Sequence, residues 1–264
     1  MVYSYYPGCT LKTKAKELDI YARRSMEALG ITLEELKDWQ CCGGAFTSSN
    51  DEVATKLSSV RALIEAGEKN TELVTLCSAC HNVLKRTNYE MANNPEFAAK
   101  VNNYNKGTYP EYHGQTKVIH FLELLRDKVG FEELKKAVVK PLTGVKIAPY
   151  YGCLLLRPGN VMAFDDPENP KIMEEFIKAI GATPVEYAMK NECCGGYVTL
   201  EDSKIATKKS TRIVDNASEF GADLMVTACP LCLYNLTVNT DGKLPIVYFT
   251  KLLAEALGVA GGEE

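Results

Sequence analysis

Residues 73–80 read Leu-Val-Thr-Leu-Cys-Ser-Ala-Cys, and residues 224–232 read Leu-Met-Val-Thr-Ala-Cys-Pro-Leu-Cys. Each is a short apolar run, the composition of a strand buried on both faces, that passes straight into Cys-x-x-Cys. Outward from them the pattern extends in step. An adjacent cysteine pair with two glycines lies upstream of each, Cys41-Cys42-Gly43-Gly44 and Cys193-Cys194-Gly195-Gly196, and a lone cysteine, Cys9 or Cys153, lies further upstream. Between the second cysteine of the pair and Cys-x-x-Cys there are 34 residues in both sets. Four of the five cysteines therefore repeat at an offset of 152, and the lone one at 144. All 10 cysteines belong to this duplicated pattern.

The repeat reaches beyond the cysteines. Val2-Tyr3-Ser4-Tyr5-Tyr6-Pro7-Gly8-Cys9 matches Lys146-Ile147-Ala148-Pro149-Tyr150-Tyr151-Gly152-Cys153, a strand ending in Gly-Cys. A helical stretch follows in each half and closes on Leu29-Gly30 or Ile180-Gly181, with the glycine as C-cap. A second helix follows each cysteine pair. The block from Val118 to Leu125 matches that from Ile246 to Leu253 at an offset of 128, which leaves 24 extra residues in the first half, within the Asn-rich stretch 88–115. Strands alternating with helices predict an α/β chain of two similar Rossmann-like parallel-sheet domains, residues 1–142 and 143–264, related by a pseudo-two-fold axis. Pro141 to Gly144 marks the boundary, and the tail from Gly258 to Glu264 is expected to fray.

Composition excludes several function classes. The 264 residues are 46% hydrophobic with a formal charge of only −4, so the chain has room for two cores and no basic footprint for nucleic acid. No apolar run approaches the ~18 residues of a membrane span, and the N-terminus lacks the layout of a signal peptide. A cytoplasmic location is expected, with no membrane and no nucleic acid as partner. In a reducing compartment, repeated cysteine spacing points to metal binding or catalysis rather than disulfides, and exposed thiolates suit an anaerobe.

In open parallel sheets the ligand crevice lies beyond the carboxyl ends of the strands, where Cys9, Cys77, Cys153 and Cys229 are predicted to sit. Cys80 and Cys232 begin the following helices, whose free N–H groups favour thiolates. A structural zinc site or a cubane cluster takes four ligands. Five sulfurs, two of them adjacent on one backbone, point to an opened or bridged iron–sulfur cluster in each half; zinc and a metal-free dithiol of the thioredoxin kind are the alternatives. Gly43, Gly44, Gly195 and Gly196 either supply turns or let backbone N–H groups approach the cofactor. His81, beside Cys80, is a candidate proton donor. Lys12 after Cys9 and Arg157 after Cys153 are candidate contacts for an anionic substrate. Trp39 and Tyr187 are expected to pack rather than stack on a ligand.

The pattern Cys…Cys-Cys-Gly…Cys-x-x-Cys, duplicated in a chain of this size, resembles the cysteine-rich CCG-domain family, and within it the B-type subunit of heterodisulfide reductase. That resemblance covers nearly the whole chain. It implies a noncubane [4Fe–4S] cluster on Cys9, Cys41, Cys42, Cys77 and Cys80 and another on Cys153, Cys193, Cys194, Cys229 and Cys232. It also implies a coenzyme M–coenzyme B disulfide as substrate, with electrons delivered by two other subunits of the same complex, one iron–sulfur (C-type) and one flavin-bearing (A-type). Relatives in methanogens use that substrate, whereas bacterial relatives act on other disulfides or thiol carriers; a subunit that only carries electrons is a further alternative. Cleaving a disulfide takes two electrons, and two one-electron centres facing one S–S bond match that need.

Overall fold

The computed structural model describes residues 1–44, 51–69, 71–199 and 201–261. The first half runs β1 (Val2–Tyr6), α1 (Cys9–Thr13), α2 (Lys16–Ala28), β2 (Thr32–Glu35), α3 (Ala54–Glu68), β3 (Leu73–Thr75), α4 (Ser78–Asn93), α5 (Pro95–Asn105), β4 (Val118–His120), α6 (Phe121–Leu124) continuing into a π-helical turn at Leu125–Val129, and α7 (Phe131–Ala137). The second runs β5 (Lys146–Tyr150), α8 (Gly159–Met162), α9 (Ile172–Ala179), β6 (Thr183–Pro184), α10 (Ser203–Glu219), β7 (Leu224–Thr227), α11 (Pro230–Val238), β8 (Ile246–Tyr248) and α12 (Phe249–Ala256). Each half folds its strands into a four-stranded, all-parallel sheet of the same topology, β2-β1-β3-β4 and β6-β5-β7-β8. The expected α/β class and duplicated parallel sheets are therefore present.

β2 and β6 have no counterpart in the sequence reading. Both are edge strands and need only one covered face. Leu33 is the single buried residue of β2, among Thr32, Glu34 and Glu35, and β6 is two residues long with Pro184. Charge and proline on an edge blunt pairing with other chains and erase the hydrophobic signature that would reveal the strand. The Asn-rich insertion also has structure of its own. α4 runs on to Asn93, and α5 starts at Pro95 with the Asn94 side chain accepting from Phe97 N at 3.1 Å, a conventional N-cap.

The halves share a core, and the second half has a smaller cluster of its own around Tyr150, Met225 and Leu236. One cluster of buried apolar residues draws on both. α12 lies against α2 across the repeat, with Thr250 Oγ1 donating to Leu18 O at 3.0 Å, and α6 and α7 lie against α9 in the reciprocal sense. Phe249 packs edge-to-face with Phe121 at 5.6 Å and Phe176 at 6.0 Å, so aromatic rings from both halves interlock. Phe249, Leu252, Leu253 and Ala256 of α12 are all buried, each large side chain contributing about 1.5–3 kcal/mol of burial. α12 does not fray at its end: Val259 N donates to Ala254 O at 2.8 Å. Residues 262–264 of the tail lie outside the described residues.

Candidate metal centre

The central strands aim the cysteines. β1 and β3 end just before Cys9 and Cys77, β5 and β7 just before Cys153 and Cys229. Cys77 and Cys229 are the N-caps of α4 and α11, which puts Cys80 and Cys232 in the first helical turn, where orphan N–H groups collect. The pair-bearing loop is tied down the same way twice. Tyr6 donates its hydroxyl to Gln40 O at 2.5 Å, and Tyr150 donates to Glu192 O at 2.7 Å, each carbonyl belonging to the residue just before the pair. Ser210 Oγ and Asn235 Nδ2 then donate to Cys194 O at 3.2 and 2.8 Å.

Within each half the sulfurs meet in pairs. Cys9 and Cys41 Sγ are 3.6 Å apart, Cys42 and Cys80 3.4 Å, Cys194 and Cys232 3.5 Å, and Cys153 also pairs with Cys193. The two sets come closest at Cys77 and Cys229, where each thiol acts on the ionisation of the other, Cys77 being pushed up and Cys229 drawn down. Their backbone is locked there. Tyr248 donates its hydroxyl to both Leu76 O (2.7 Å) and Ala228 O (3.1 Å), the carbonyls preceding Cys77 and Cys229. Ser78 Oγ donates to Ala228 O at 2.7 Å, and His120 Nε2 lies 3.1 Å from Leu76 O.

This donor set fits a multi-metal sulfur cluster. Cys42, Cys77, Cys80, Cys194, Cys229 and Cys232 are buried, with Cys9 and Cys41 exposed and Cys153 and Cys193 half-buried. Left as thiols, the sulfurs can only share protons. Cys42 is drawn down to about 7 by its bond with Cys80, while that same bond pushes Cys80 well up. Cys193 falls to about 6 through its bond with Cys153, and burial holds Cys41 at about 11. Cationic metal is what lets all of them be thiolates together. Among the described residues no three His, Cys, Asp or Glu side chains are grouped to hold a single metal ion. The backbone leaves room beside the sulfur as well. A Cβ on Gly8, whose φ is +81°, would lie 2.8 Å from Cys80 Sγ, and one on Gly152, at φ +64°, 3.4 Å from Cys232 Sγ. Of the paired glycines, Gly43 and Gly195 have positive φ and make the turn, whereas a Cβ on Gly44 or Gly196 would lie 3.5 Å from Cys42 or Cys194 Sγ.

Comparison with known proteins agrees with this geometry. The model of the cysteine-rich CCG domain matches residues 3–85 and again 147–237, once per half. The chain belongs to the CCG family. Among its relatives, the 8-methylmenaquinol:fumarate reductase membrane anchor subunit of Wolinella succinogenes is 31% identical over 99% of this chain and 94% of its own length. A protein of Archaeoglobus profundus, named for its likeness to the B-type subunit of heterodisulfide reductase, is 31% identical over 97% of this chain and 90% of its own. The B-type subunit of the ferredoxin/F(420)H(2)-dependent CoB-CoM heterodisulfide reductase of Methanosarcina acetivorans is 29% identical over 98% and 90%. A solved structure, a hypothetical protein from Helicobacter pylori, shares the fold at a TM-score of 0.72 and 12% identity, covering 100% of this chain and 49% of that one. No helix among the described residues is long and apolar enough to cross a membrane.

Around the CCG cysteines the other expected residues are placed less simply. His81 is fully buried and turned away: its Nδ1 is 2.9 Å from Thr75 Oγ1, its Nε2 is 3.5 Å from Glu123 Oε2, and its ring packs on His120 at 5.4 Å. Burial, aided by the nearby His120 and Lys85, holds its pKa well below the ordinary value, so it is neutral there. Lys12 is paired with Glu35 at 2.8 Å. Arg157 donates to Asn191 O at 3.0 Å and to Glu168 Oε1 at 3.1 Å, pinning loops behind the second set. Both cations thus carry carboxylate partners. Trp39 packs on Tyr6 at 5.3 Å and Tyr187 is buried with its hydroxyl on Pro149 O, as expected of packing residues. Tyr6, Tyr150, Gly8 and Gly152 are site residues the sequence reading passed over, although all four lie inside its matched strands and repeat at the offset of the lone cysteine.

Proposed function

We propose that this chain is the catalytic subunit of a heterodisulfide-reductase-type complex that reduces a disulfide to two thiols. The observation that carries the reading is that one hydroxyl, that of Tyr248, holds both carbonyls that precede Cys77 and Cys229, which brings the two five-cysteine sets together. Each set, Cys9, Cys41, Cys42, Cys77 and Cys80 or Cys153, Cys193, Cys194, Cys229 and Cys232, would hold one noncubane [4Fe–4S] cluster. When bound, such clusters supply one electron each, and the S–S bond takes two with two protons. The protein's own part is positional. Tyr248, Ser78 and His120 fix the separation of the sets, Tyr6 and Tyr150 fix the cysteine-pair loops, and the core shared by the repeats 1–142 and 143–264 would keep both clusters turned to one substrate.

The substrate we favour is the coenzyme M–coenzyme B disulfide, with electrons from the iron–sulfur (C-type) and flavin-bearing (A-type) partners of such a complex in an anaerobic cytoplasm. The names of the relatives in Archaeoglobus and Methanosarcina support the heterodisulfide as substrate class. The relative named as a membrane anchor subunit of fumarate reductase supports a second reading, an electron-transfer subunit without a substrate of its own. Anaerobic turnover with an artificial one-electron donor and that disulfide separates them. Two electrons consumed per disulfide, with two thiols formed, is the expected result. Iron-loaded protein that exchanges electrons with a redox partner and reduces no disulfide would leave only the second reading.

A further inference from the structure

Reduction of a disulfide needs a group that can donate to sulfur, and buried His81 is turned instead to Thr75 and Glu123. Tyr197 directly follows Gly195-Gly196, and its ring is 40% exposed. The turn that presents it is held from both sides. Val198 N donates to Gly195 O at 3.0 Å, the Thr199 hydroxyl bonds both Gly195 O and Asn235 Oδ1, and buried Asn235 donates to Cys194 O at 2.8 Å. The phenol lies in electrostatic reach of Cys229, Cys153, Cys42 and Cys77, sulfurs of both sets. Among the described residues its hydroxyl makes no hydrogen bond, whereas Tyr6, Tyr150, Tyr187 and Tyr248 all donate to carbonyls. A rigidly presented, unengaged donor beside the second set has no structural task that the described residues show.

We propose that Tyr197 contacts the substrate, donating a hydrogen bond to a sulfur of the disulfide and to the thiolate that sulfur becomes. The inference rests on the disulfide-reductase reading and deepens it by naming the residue that recognises the reacting sulfur. Charge on sulfur grows as the S–S bond breaks, so a neutral donor there favours the reacting state over the bound disulfide. Burial and the neighbouring sulfurs hold the phenol at about 12, so it remains a donor throughout neutral pH. The task is one-sided. At the repeat offset of 152 the first half has Ala45, which has no donor in its side chain and lies outside the described residues. A single tyrosine over an otherwise duplicated site predicts that the two sulfurs of an unsymmetrical disulfide are told apart.

Tyr197→Phe tests this, since it keeps the ring and removes only the hydroxyl. Iron and sulfide content should stay at the wild-type level, while kcat/KM for the disulfide falls about 10- to 100-fold, the range for one hydrogen bond to a charged sulfur. A readout apart from turnover is the change in the cluster EPR spectrum as a thiol product is titrated in; its half-saturation should move about 10-fold upward in the variant. Tyr197→His, which keeps a donor, should recover part of both losses, and Tyr234→Phe, an exposed tyrosine of α11, should change neither. Full iron with unchanged kcat/KM and thiol titration in Tyr197→Phe overturns the inference and leaves the disulfide reading standing. Iron-loaded wild type with no turnover and no response to thiols overturns both.

Discussion

In the first half the outer sulfurs, Cys9 and Cys41, are exposed; their matches Cys153 and Cys193 are half-buried, with the Lys209 side chain lying over Gly195 at the edge of the second set. Behind the second set a buried ion pair, Lys190 with Glu174 at 2.5 Å, also engages the Tyr151 hydroxyl, while Lys190 O accepts from Tyr151 N. The first-half position matching Lys190 is exposed Asp38. Duplication has preserved the sulfurs and the backbone that carries them, and let their surroundings diverge. Two centres held on such a scaffold would be chemically distinct, which an unsymmetrical disulfide would exploit.

The comparison breaks most visibly at the ligands. Cys42→Ala and Cys194→Ala should each lose roughly half of the iron bound by the wild-type chain, because each half supplies its own thiolates. Iron analysis of anaerobic protein decides it; loss of all iron from either variant would mean that the sets form one indivisible centre.

Next in size is the Lys190–Glu174 pair, more deeply buried than the first half's Arg23–Asp19 pair. Lys190 and Glu174 side chains are 6% and 2% exposed, so Lys190→Met strands a buried carboxylate and should cost about 3–5 kcal/mol in denaturant unfolding. The matching surface change, Asp38→Asn, should stay within about 0.5 kcal/mol. Equal effects would show that the network behind Cys153 is not specific to the second half.

His120 and Tyr248 occupy matched positions, and both reach Leu76 O. Only the histidine titrates near neutrality. Burial depresses His120 to about 3 from its ordinary 6.5, so the unfolded chain takes up a proton that the folded chain refuses. Its stability contribution is intact above about pH 6.5 and is lost as pH falls toward 3, at about 1.4 kcal/mol per pH unit. Unfolding measured between pH 6.5 and 5 should show at least that slope, since buried His81 is held low in the same way, and His120→Gln should reduce it by the part due to His120. An unchanged slope would place the acid sensitivity elsewhere.

The smallest expected difference lies in the glycines before the lone cysteines. Gly8→Ala places a Cβ 2.8 Å from Cys80 Sγ, and Gly152→Ala places one 3.4 Å from Cys232 Sγ, both at positive φ. Each should cost about 1–2 kcal/mol of backbone strain, with cluster loss greater for Gly8→Ala. Iron retention after gel filtration compares them.

Much of this was legible before any coordinates. The constant cysteine spacing fixes which side chains must converge, and strands that run into Cys-x-x-Cys place them at the carboxyl ends of parallel sheets. What sequence could not supply is direction and distant partners. His81 follows Cys80 but sits about 100° further round α4, which swings it into the core. Lys12 and Arg157 looked available because Glu35 and Glu168, which hold them, are remote along the chain or across a loop. Lys190 reads as surface, since lysine is seldom buried unless paired, and its pair is visible only in the fold. The shared core was hidden for a similar reason: a repeat shows where units begin and end, not which unit's helix covers the other.

The central claim is that two separate iron–sulfur clusters sit on the two matched sets, and counting iron and acid-labile sulfide in protein purified without oxygen tests it most directly. The account predicts about eight of each per chain. Fewer than about two irons, with zinc bound in their place, would contradict it.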